Sequence, residues 1–115
     1  MIEALSPSNF AAWRDAQAKV PIVLDVREPW ELQTAAVTPD GFTLLHVSMQ
    51  SIPAQLAALQ KNYSADQPIA CLCHHGIRSQ QVAIYLAQQG FTDVVNLQGG
   101  IAAWAQQLDN SVPQY

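Results

Sequence analysis

Four short apolar runs separated by helical patterns constrain the fold of this chain more than any other feature of its sequence. The runs occupy residues 22–26, 42–47, 68–73 and 94–97. Helical spacing or helix-start signals lie around them, at residues 6–16, 28–32, 51–60, 79–89 and 101–108. A run that is apolar at nearly every position is typical of a strand covered on both faces. Strands that alternate with helices predict a three-layer α/β fold, with a central, mostly parallel sheet of about four to five strands and helices on both faces.

The length and charge of the chain bound its class. Its 115 residues fit one domain, predicted to span residues 1–115. The net charge is −4 and there is no basic run, so no nucleic-acid partner is expected. Residues 1–5 lack the basic and apolar regions of a secretory leader, and no run approaches the roughly 20 apolar residues of a membrane span. We therefore expect a cytoplasmic protein without a membrane partner.

The two cysteines, Cys71 and Cys73, lie two positions apart in the third apolar run. Side chains at i and i+2 of a strand share a face, but a disulfide between them would be strained, so we expect reduced thiols and a reducing compartment. We interpret Cys71 as a small buried apolar residue. With His74 and His75 the cysteines resemble part of a zinc site, but the sequence offers no second pair of typical ligands. We therefore expect neither a metal nor a cofactor.

The segment after this run, residues 73–79, carries the strongest chemical signal. It connects a buried strand to a helix, so Cys73 faces the free amides and partial positive charge of a helix N-terminus. Arg78 adds a permanent cation. Gly76 lets the backbone turn tightly, so that successive N–H groups can point inward at an anion. Each influence favours the thiolate, the reactive form of cysteine. Because a cation at a helix start is unfavourable alone, Arg78 is expected to have a partner anion.

Three segments of the sequence resemble the rhodanese family of sulfurtransferases. Residues 73–79, Cys-His-His-Gly-Ile-Arg-Ser, are similar to its active-site loop, residues 24–31 to its N-terminal signature, and residues 96–104 to its C-terminal signature. The resemblance implies the rhodanese-like fold and a two-step exchange. In that exchange a donor such as thiosulfate places sulfur on Cys73 as a persulfide, and a thiol or cyanide acceptor removes it. The remaining site residues that we predict are His74, His75, Gly76, Ile77 and Arg78 for substrate binding, with Asp25, Arg27 and Ser79 in support.

The length of the loop separates two chemistries associated with this fold. Cys73 to Arg78 has the form Cys-x4-Arg, whereas the related phosphatases use Cys-x5-Arg, one residue longer, around a phosphate. A shorter ring of N–H groups suits a single sulfur atom. Phosphatase and arsenate reductase activities are therefore disfavoured.

Departures from the family pattern leave the sulfur donor open. The two-domain thiosulfate enzymes carry a lysine at the position of His75 and an arginine at the position of Glu31, and residues 33–41 differ from the usual family stretch. Two functions are therefore kept. One is a sulfurtransferase that uses thiosulfate; the other is a persulfide carrier or sulfur-relay module that serves a protein donor or acceptor and has little activity on free thiosulfate. A catalytically silent domain is disfavoured because Cys73 is present.

Residues near these motifs are also expected to have structural roles. Asp25 is expected to accept backbone hydrogen bonds near the loop, because an isolated carboxylate at the end of an apolar strand would be costly. Arg27 and Glu31 have the spacing of a local ion pair. His74 and His75 are either solvated loop residues or proton-transfer groups, and the sequence does not separate these roles. The residues interpreted as packing are Trp13, Tyr85, Gly99, Gly100 and Trp104.

Overall fold

A computed structural model describes residues 2–115 of the protein. Five short strands form one sheet in the order β1-β5-β4-β2-β3, and every neighbouring pair runs parallel. The strands are β1 (Glu3–Leu5), β2 (Ile22–Asp25), β3 (Thr43–His46), β4 (Ile69–Leu72) and β5 (Val94–Leu97). The predicted α/β fold with a parallel sheet is therefore confirmed.

Five α-helices connect or follow these strands. They are α1 (Phe10–Asp15), α2 (Pro29–Thr34), α3 (Ile52–Asn62), α4 (Ile77–Gln88) and α5 (Gly100–Gln107), with short 3₁₀ turns at Pro7–Asn9 and Met49–Ser51. Gly90, two residues beyond the end of α4, has a φ of +104°. Glycine adopts this left-handed conformation without the steric cost that a Cβ imposes, so it is a favourable residue after a helix end.

Successive side chains along the central strands enter two different cores, which explains why these strands are largely apolar. Val23 packs on one face of the sheet, where α1 and α5 contribute Phe10 and Trp104. Leu24 packs on the opposite face, where α3 and α4 contribute Ile52 and Leu86. The three predicted layers are thus present.

Strand β1 is absent from the sequence-based prediction, which located four strands. Its three residues show no apolar alternation, and of them only Leu5 is buried. The strand forms because it pairs with β5, with Glu3 opposite Val95 and Leu5 opposite Leu97. A three-residue strand defined by a partner about 90 positions away leaves little trace in the local sequence.

The sheet brings the carboxyl ends of β4 and β5 together at its centre, the position where open α/β sheets usually hold ligands. Strand β4 ends at Leu72, so Cys73 is the first residue beyond it. Among residues 2–115, no helix combines the length and the apolar character needed to cross a bilayer.

Candidate active site

The sulfur of Cys73 lies inside the turn that joins β4 to α4. The Gly76 amide donates to Sγ at 3.1 Å and the Ser79 amide at 3.4 Å, and the Ser79 hydroxyl lies 3.2 Å away. Hydrogen-bond donors around a sulfur atom stabilise negative charge on it. The Cys73 residue is only 1% exposed, so a reaction partner must present a small terminal atom to reach this sulfur.

The turn directs its amides inward because its carbonyls are bound on the other side by α5. The Ile101 amide donates to the Cys73 carbonyl at 2.8 Å, and the Ala102 amide donates to the His74 carbonyl at 3.2 Å. These are first-turn amides of α5, which have no partner within their own helix. Gly100 permits this approach, since a Cβ at that position would lie 2.4 Å from both carbonyl oxygens. The expectation that Gly100 serves close backbone packing is confirmed.

Gly76 has a φ of +101° and acts as the residue that precedes α4. A Cβ there would meet the Gly99 amide nitrogen at 3.2 Å. Both the left-handed conformation and the limited space therefore favour glycine at this position.

Asn96 holds the turn from β5, and the sequence analysis did not single it out. Its Nδ2 donates to the Gly76 carbonyl at 3.0 Å, and its Oδ1 accepts from the Ser79 hydroxyl at 2.6 Å. The sequence did contain a signal for this role, because Asn96 is a polar residue in an otherwise apolar strand. A buried side-chain amide needs hydrogen-bond partners, so such a residue is expected to bind a neighbouring element. Asn96 therefore connects Gly76 and Ser79, the two residues whose amides donate to the Cys73 sulfur, to the central sheet.

The guanidinium of Arg78 is bound to the carboxylate of Glu31. Arg78 Nη1 lies 2.7 Å from Glu31 Oε2 and Nη2 lies 2.9 Å from Oε1, a two-point ion pair. This pair lowers the pKa of Glu31 to about 2, with the hydrogen bond from Arg78 as the largest cause. The predicted partner anion of Arg78 is thus a carboxylate brought in from α2, and its hydrogen bonds raise the pKa of Arg78.

The predicted ion pair between Arg27 and Glu31 is wrong. Arg27 is fully buried and pairs with Asp25, with Nη2 to Oδ2 at 2.7 Å and Nε to Oδ1 at 2.9 Å. Its remaining donors are bound by the Ala35 carbonyl at 2.9 Å, by the Tyr115 hydroxyl and by the Glu31 backbone carbonyl at 3.4 Å. Asp25 also accepts from the Arg27 amide at 3.1 Å, so the expected backbone bond is present beside an unpredicted buried ion pair. The choice of ion-pair partner for Arg27 depends on which groups the fold buries together, which i to i+4 spacing does not reveal.

Three rings stack above the turn. The His74 ring lies 3.9 Å from the His75 ring on one side and 3.9 Å from the Tyr115 ring on the other. Burial, followed by the neighbouring His75, lowers the pKa of His74. The Tyr115 hydroxyl accepts from Arg27 and donates to Glu31 Oε1, both at 2.9 Å. Nothing in the sequence near Tyr115 indicated this contact with both ion pairs.

The other predicted residues lie at the rim or below the site. Ile77 is 73% exposed and His75 is also exposed. Cys71 is fully buried in the core with Leu24 and Val82, and burial raises the pKa of its thiol. Both cysteines are free thiols. Within residues 2–115 no group of three or more His, Cys, Asp or Glu side chains is arranged to hold a metal ion.

Comparison with known proteins relates this geometry to one family. The sequence profile of the "Rhodanese-like domain" family matches residues 6–107. Thiosulfate sulfurtransferase GlpE of Stutzerimonas stutzeri is 30% identical over 108 residues, which cover 94% of this chain and 89% of that protein. Probable adenylyltransferase/sulfurtransferase MoeZ of Mycobacterium tuberculosis is 32% identical over 111 residues, which cover 96% of this chain but only 26% of MoeZ.

The fold has close counterparts among solved structures. A crystal structure of a rhodanese-like domain protein from Staphylococcus aureus aligns with a TM-score of 0.74 and 22% sequence identity, and the alignment covers 99% of each chain. The similarity in fold extends over the five-stranded sheet and its flanking helices.

Proposed function

The chain belongs to the rhodanese-like domain family, and on that basis we propose that it transfers sulfane sulfur through a persulfide on Cys73. The observation that carries the proposal is the pair of amides, from Gly76 and Ser79, directed at Cys73 Sγ at 3.1 and 3.4 Å. An anionic sulfur gains two charge-assisted hydrogen bonds there without any reorganisation of the turn.

In the first step the Cys73 thiolate attacks the terminal sulfur of the donor. A bond forms between Sγ and that sulfur, while the donor's own bond to the sulfur breaks and its electron pair departs with the leaving group. With thiosulfate the leaving group is sulfite. A terminal sulfane sulfur is an end atom, which suits the 1% exposure of Cys73.

In the second step a nucleophilic acceptor attacks the outer sulfur of the persulfide. The Sγ–S bond breaks and its electron pair returns to Cys73, so that the thiolate is regenerated. A thiol acceptor leaves as a persulfide and cyanide leaves as thiocyanate. The cycle consumes no external oxidant or reductant, because one sulfur atom moves between two nucleophiles.

The neighbouring residues have distinct parts in this proposal. The Gly76 and Ser79 amides stabilise the anionic sulfur in both steps, and the Ser79 hydroxyl is a third donor 3.2 Å from Sγ. Asn96 positions Gly76 and Ser79 through its two hydrogen bonds. His74 is held between two rings, so it forms part of the wall rather than a free base.

Mass spectrometry tests the proposal. The protein is incubated with thiosulfate or with an organic persulfide and digested without reductant. The peptide that contains Cys73 is expected to gain one sulfur atom, and Cys73→Ser is expected to abolish the gain. Cys71→Ala is the matched control, because it removes the buried thiol two positions away and should retain sulfur loading. Equal sulfur transfer by Cys73→Ser and the parent chain would overturn the mechanism.

A persulfide carrier for a protein partner is the second candidate. The ion pairs at Arg78 and Arg27 favour it, because they leave both cations beside the turn already neutralised. Comparing loading rates from thiosulfate and from a protein persulfide separates the two candidates. Fast turnover on free thiosulfate would eliminate the carrier.

A further inference from the structure

The charge of the site depends on two arginines, and a carboxylate neutralises each of them. Arg27 pairs with Asp25, and both side chains are fully buried, so neither contacts an incoming donor. Arg78 is the cation within the turn itself, and its side chain is 36% exposed. The availability of Arg78 therefore decides whether an anionic donor meets a positive charge near Cys73.

Glu31 is held against Arg78 by more than the ion pair. The Glu28 amide donates to Oε2 at 2.8 Å, and the Tyr115 hydroxyl donates to Oε1 at 2.9 Å. The Glu31 side chain is 4% exposed. An exposed ion pair exchanges readily with solvent, but this carboxylate is fixed by a helix-start amide and a hydroxyl as well as by the guanidinium.

We propose that Glu31 sets the charge class of the sulfur donor: by holding Arg78 in a neutral pair, it makes the site favour donors with one negative charge or none, such as organic persulfides, over dianionic thiosulfate. The inference rests on sulfur transfer through Cys73. The class of donor is identified by its charge and by a terminal sulfane sulfur.

A count of charges gives the reason. The two ion pairs contribute no net charge, so the Cys73 thiolate leaves the site at −1 when it attacks. Thiosulfate brings two further negative charges, and the whole chain has a net charge of −4. A neutral persulfide R–S–SH brings none: the Cys73 thiolate bonds to its outer sulfur, the S–S bond within the persulfide breaks, and its electron pair departs with RS⁻. Repulsion between like charges therefore slows the dianion selectively.

Two small donors that differ by one charge make the test sharp. Thiosulfate is a dianion, and methanethiosulfonate has a methyl group in place of one oxygen, so it is a monoanion with the same terminal sulfur. The measured quantity is kcat/KM for each donor with cyanide as the common acceptor. Because intrinsic reactivities differ, the ratio of the two kcat/KM values is compared between variants and not between donors.

Glu31→Gln is expected to raise the thiosulfate to methanethiosulfonate ratio about tenfold, the effect of one uncompensated charge several ångströms from the donor. Glu28→Gln is the control, since it removes the same charge three residues away; its side chain bonds Gln50 and the Glu31 backbone amide in the capping box of α2, and neither arginine, and glutamine keeps an acceptor oxygen for that amide. Its ratio is expected to change less than about twofold. A purely structural role for Glu31 would lower both kcat/KM values together and leave the ratio unchanged.

Several outcomes would overturn the inference. An unchanged ratio in Glu31→Gln, or an equal rise in Glu28→Gln, would show that Glu31 does not control donor charge. If Glu31→Gln fails to fold, the salt dependence of the parent chain decides: its rate with thiosulfate is expected to rise with ionic strength more steeply than with methanethiosulfonate, and a fall would contradict the inference. Absence of loading by both donors would instead overturn the proposed function.

Discussion

The Ser79 hydroxyl lies 2.6 Å from Asn96 Oδ1 and 3.2 Å from the sulfur of Cys73. A hydroxyl has one hydrogen, so it serves these two acceptors in competition. Asn96 belongs to β5 and Ser79 to the first turn of α4, so this contact joins the central sheet to the helix start that surrounds the sulfur. The site is thus braced by a buried side-chain network as well as by the turn's own backbone.

Asn96→Ala is expected to lower both stability and sulfur loading. The change removes the two buried hydrogen bonds that Asn96 makes to the Gly76 carbonyl and the Ser79 hydroxyl, at a cost of about 1–3 kcal/mol. Urea unfolding and the rate of sulfur gain at Cys73 measure the two effects. Gln67→Ala is the control, because Gln67 is also buried and bonds the Val20 carbonyl at 2.9 Å, but it precedes β4, at the opposite end of that strand from the turn. Gln67→Ala should lose stability without slower loading by the folded protein; equal losses of loading would contradict this account.

Ser79→Ala is expected to slow sulfur loading by about tenfold, because it removes one donor near the anionic sulfur. The double variant with Asn96→Ala should be little worse than the more affected single variant, since both changes break one network. Loading rates of the parent, the two single variants and the double variant form the cycle. Ser64→Ala, which alters an exposed hydroxyl elsewhere, serves as the reference substitution. Fully additive effects would show that the two residues act independently.

Gly100→Ala is expected to be among the most damaging single substitutions. Its Cβ would lie 2.4 Å from the carbonyl oxygens of Cys73 and His74, at a φ of +62°. Gly90→Ala is the matched control, because its φ is +104° but no atom lies within 4 Å of the added Cβ. The control should cost about 1–2 kcal/mol from backbone conformation alone. Thermal unfolding should show a clearly larger loss for Gly100→Ala, and equal losses would mean that the turn does not depend on this close contact.

Acid is expected to weaken the protein through Glu31. Its pKa is about 2 in the folded protein against an ordinary 4.5, so the unfolded chain takes up this proton first as pH falls. The stabilisation is complete above about pH 4.5 and is lost progressively toward pH 2. It amounts to about 1–3 kcal/mol, discounted because solvent reaches the Arg78 partner. Urea unfolding from pH 7 to pH 3 should show a shallower decline for Glu31→Gln than for the parent; parallel curves would contradict the assignment.

The imidazole of His74 is expected to titrate below the usual histidine range, because burial disfavours its charged form. Tyr115→Ala removes the ring stacked on it at 3.9 Å and should raise the pKa of His74 toward the ordinary value. Tyr115→Phe keeps a stacking ring and should leave the pKa lowered. Imidazole proton shifts followed by NMR against pH measure all three proteins. Identical titration of His74 in the alanine variant and the parent would show that Tyr115 does not shield it.

Local sequence information was sufficient for most of the architecture. The apolar runs located β2 to β5 within one or two residues. A strand that is covered on both faces is apolar at nearly every position, so consecutive residues of the sequence are enough to reveal it. The turn from Cys73 to Ser79 was identified for the same reason, since its cysteine, glycine and arginine are neighbours in the chain. The site roles assigned to these residues remain predictions until the experiments above are done.

The contacts that complete the site join residues far apart in the chain. Arg78 and Glu31 are separated by 47 positions, and Tyr115 and Glu31 by 84. From spacing alone, Arg27 was assigned to Glu31, whereas the fold buries Arg27 with Asp25 and leaves Glu31 for Arg78. Local periodicity reports which side chains are buried, but the choice among carboxylate partners depends on distances that exist only after the sheet and helices have packed. For this protein the chain alone specifies where Cys73 and its turn occur, and packing decides how much positive charge remains beside them.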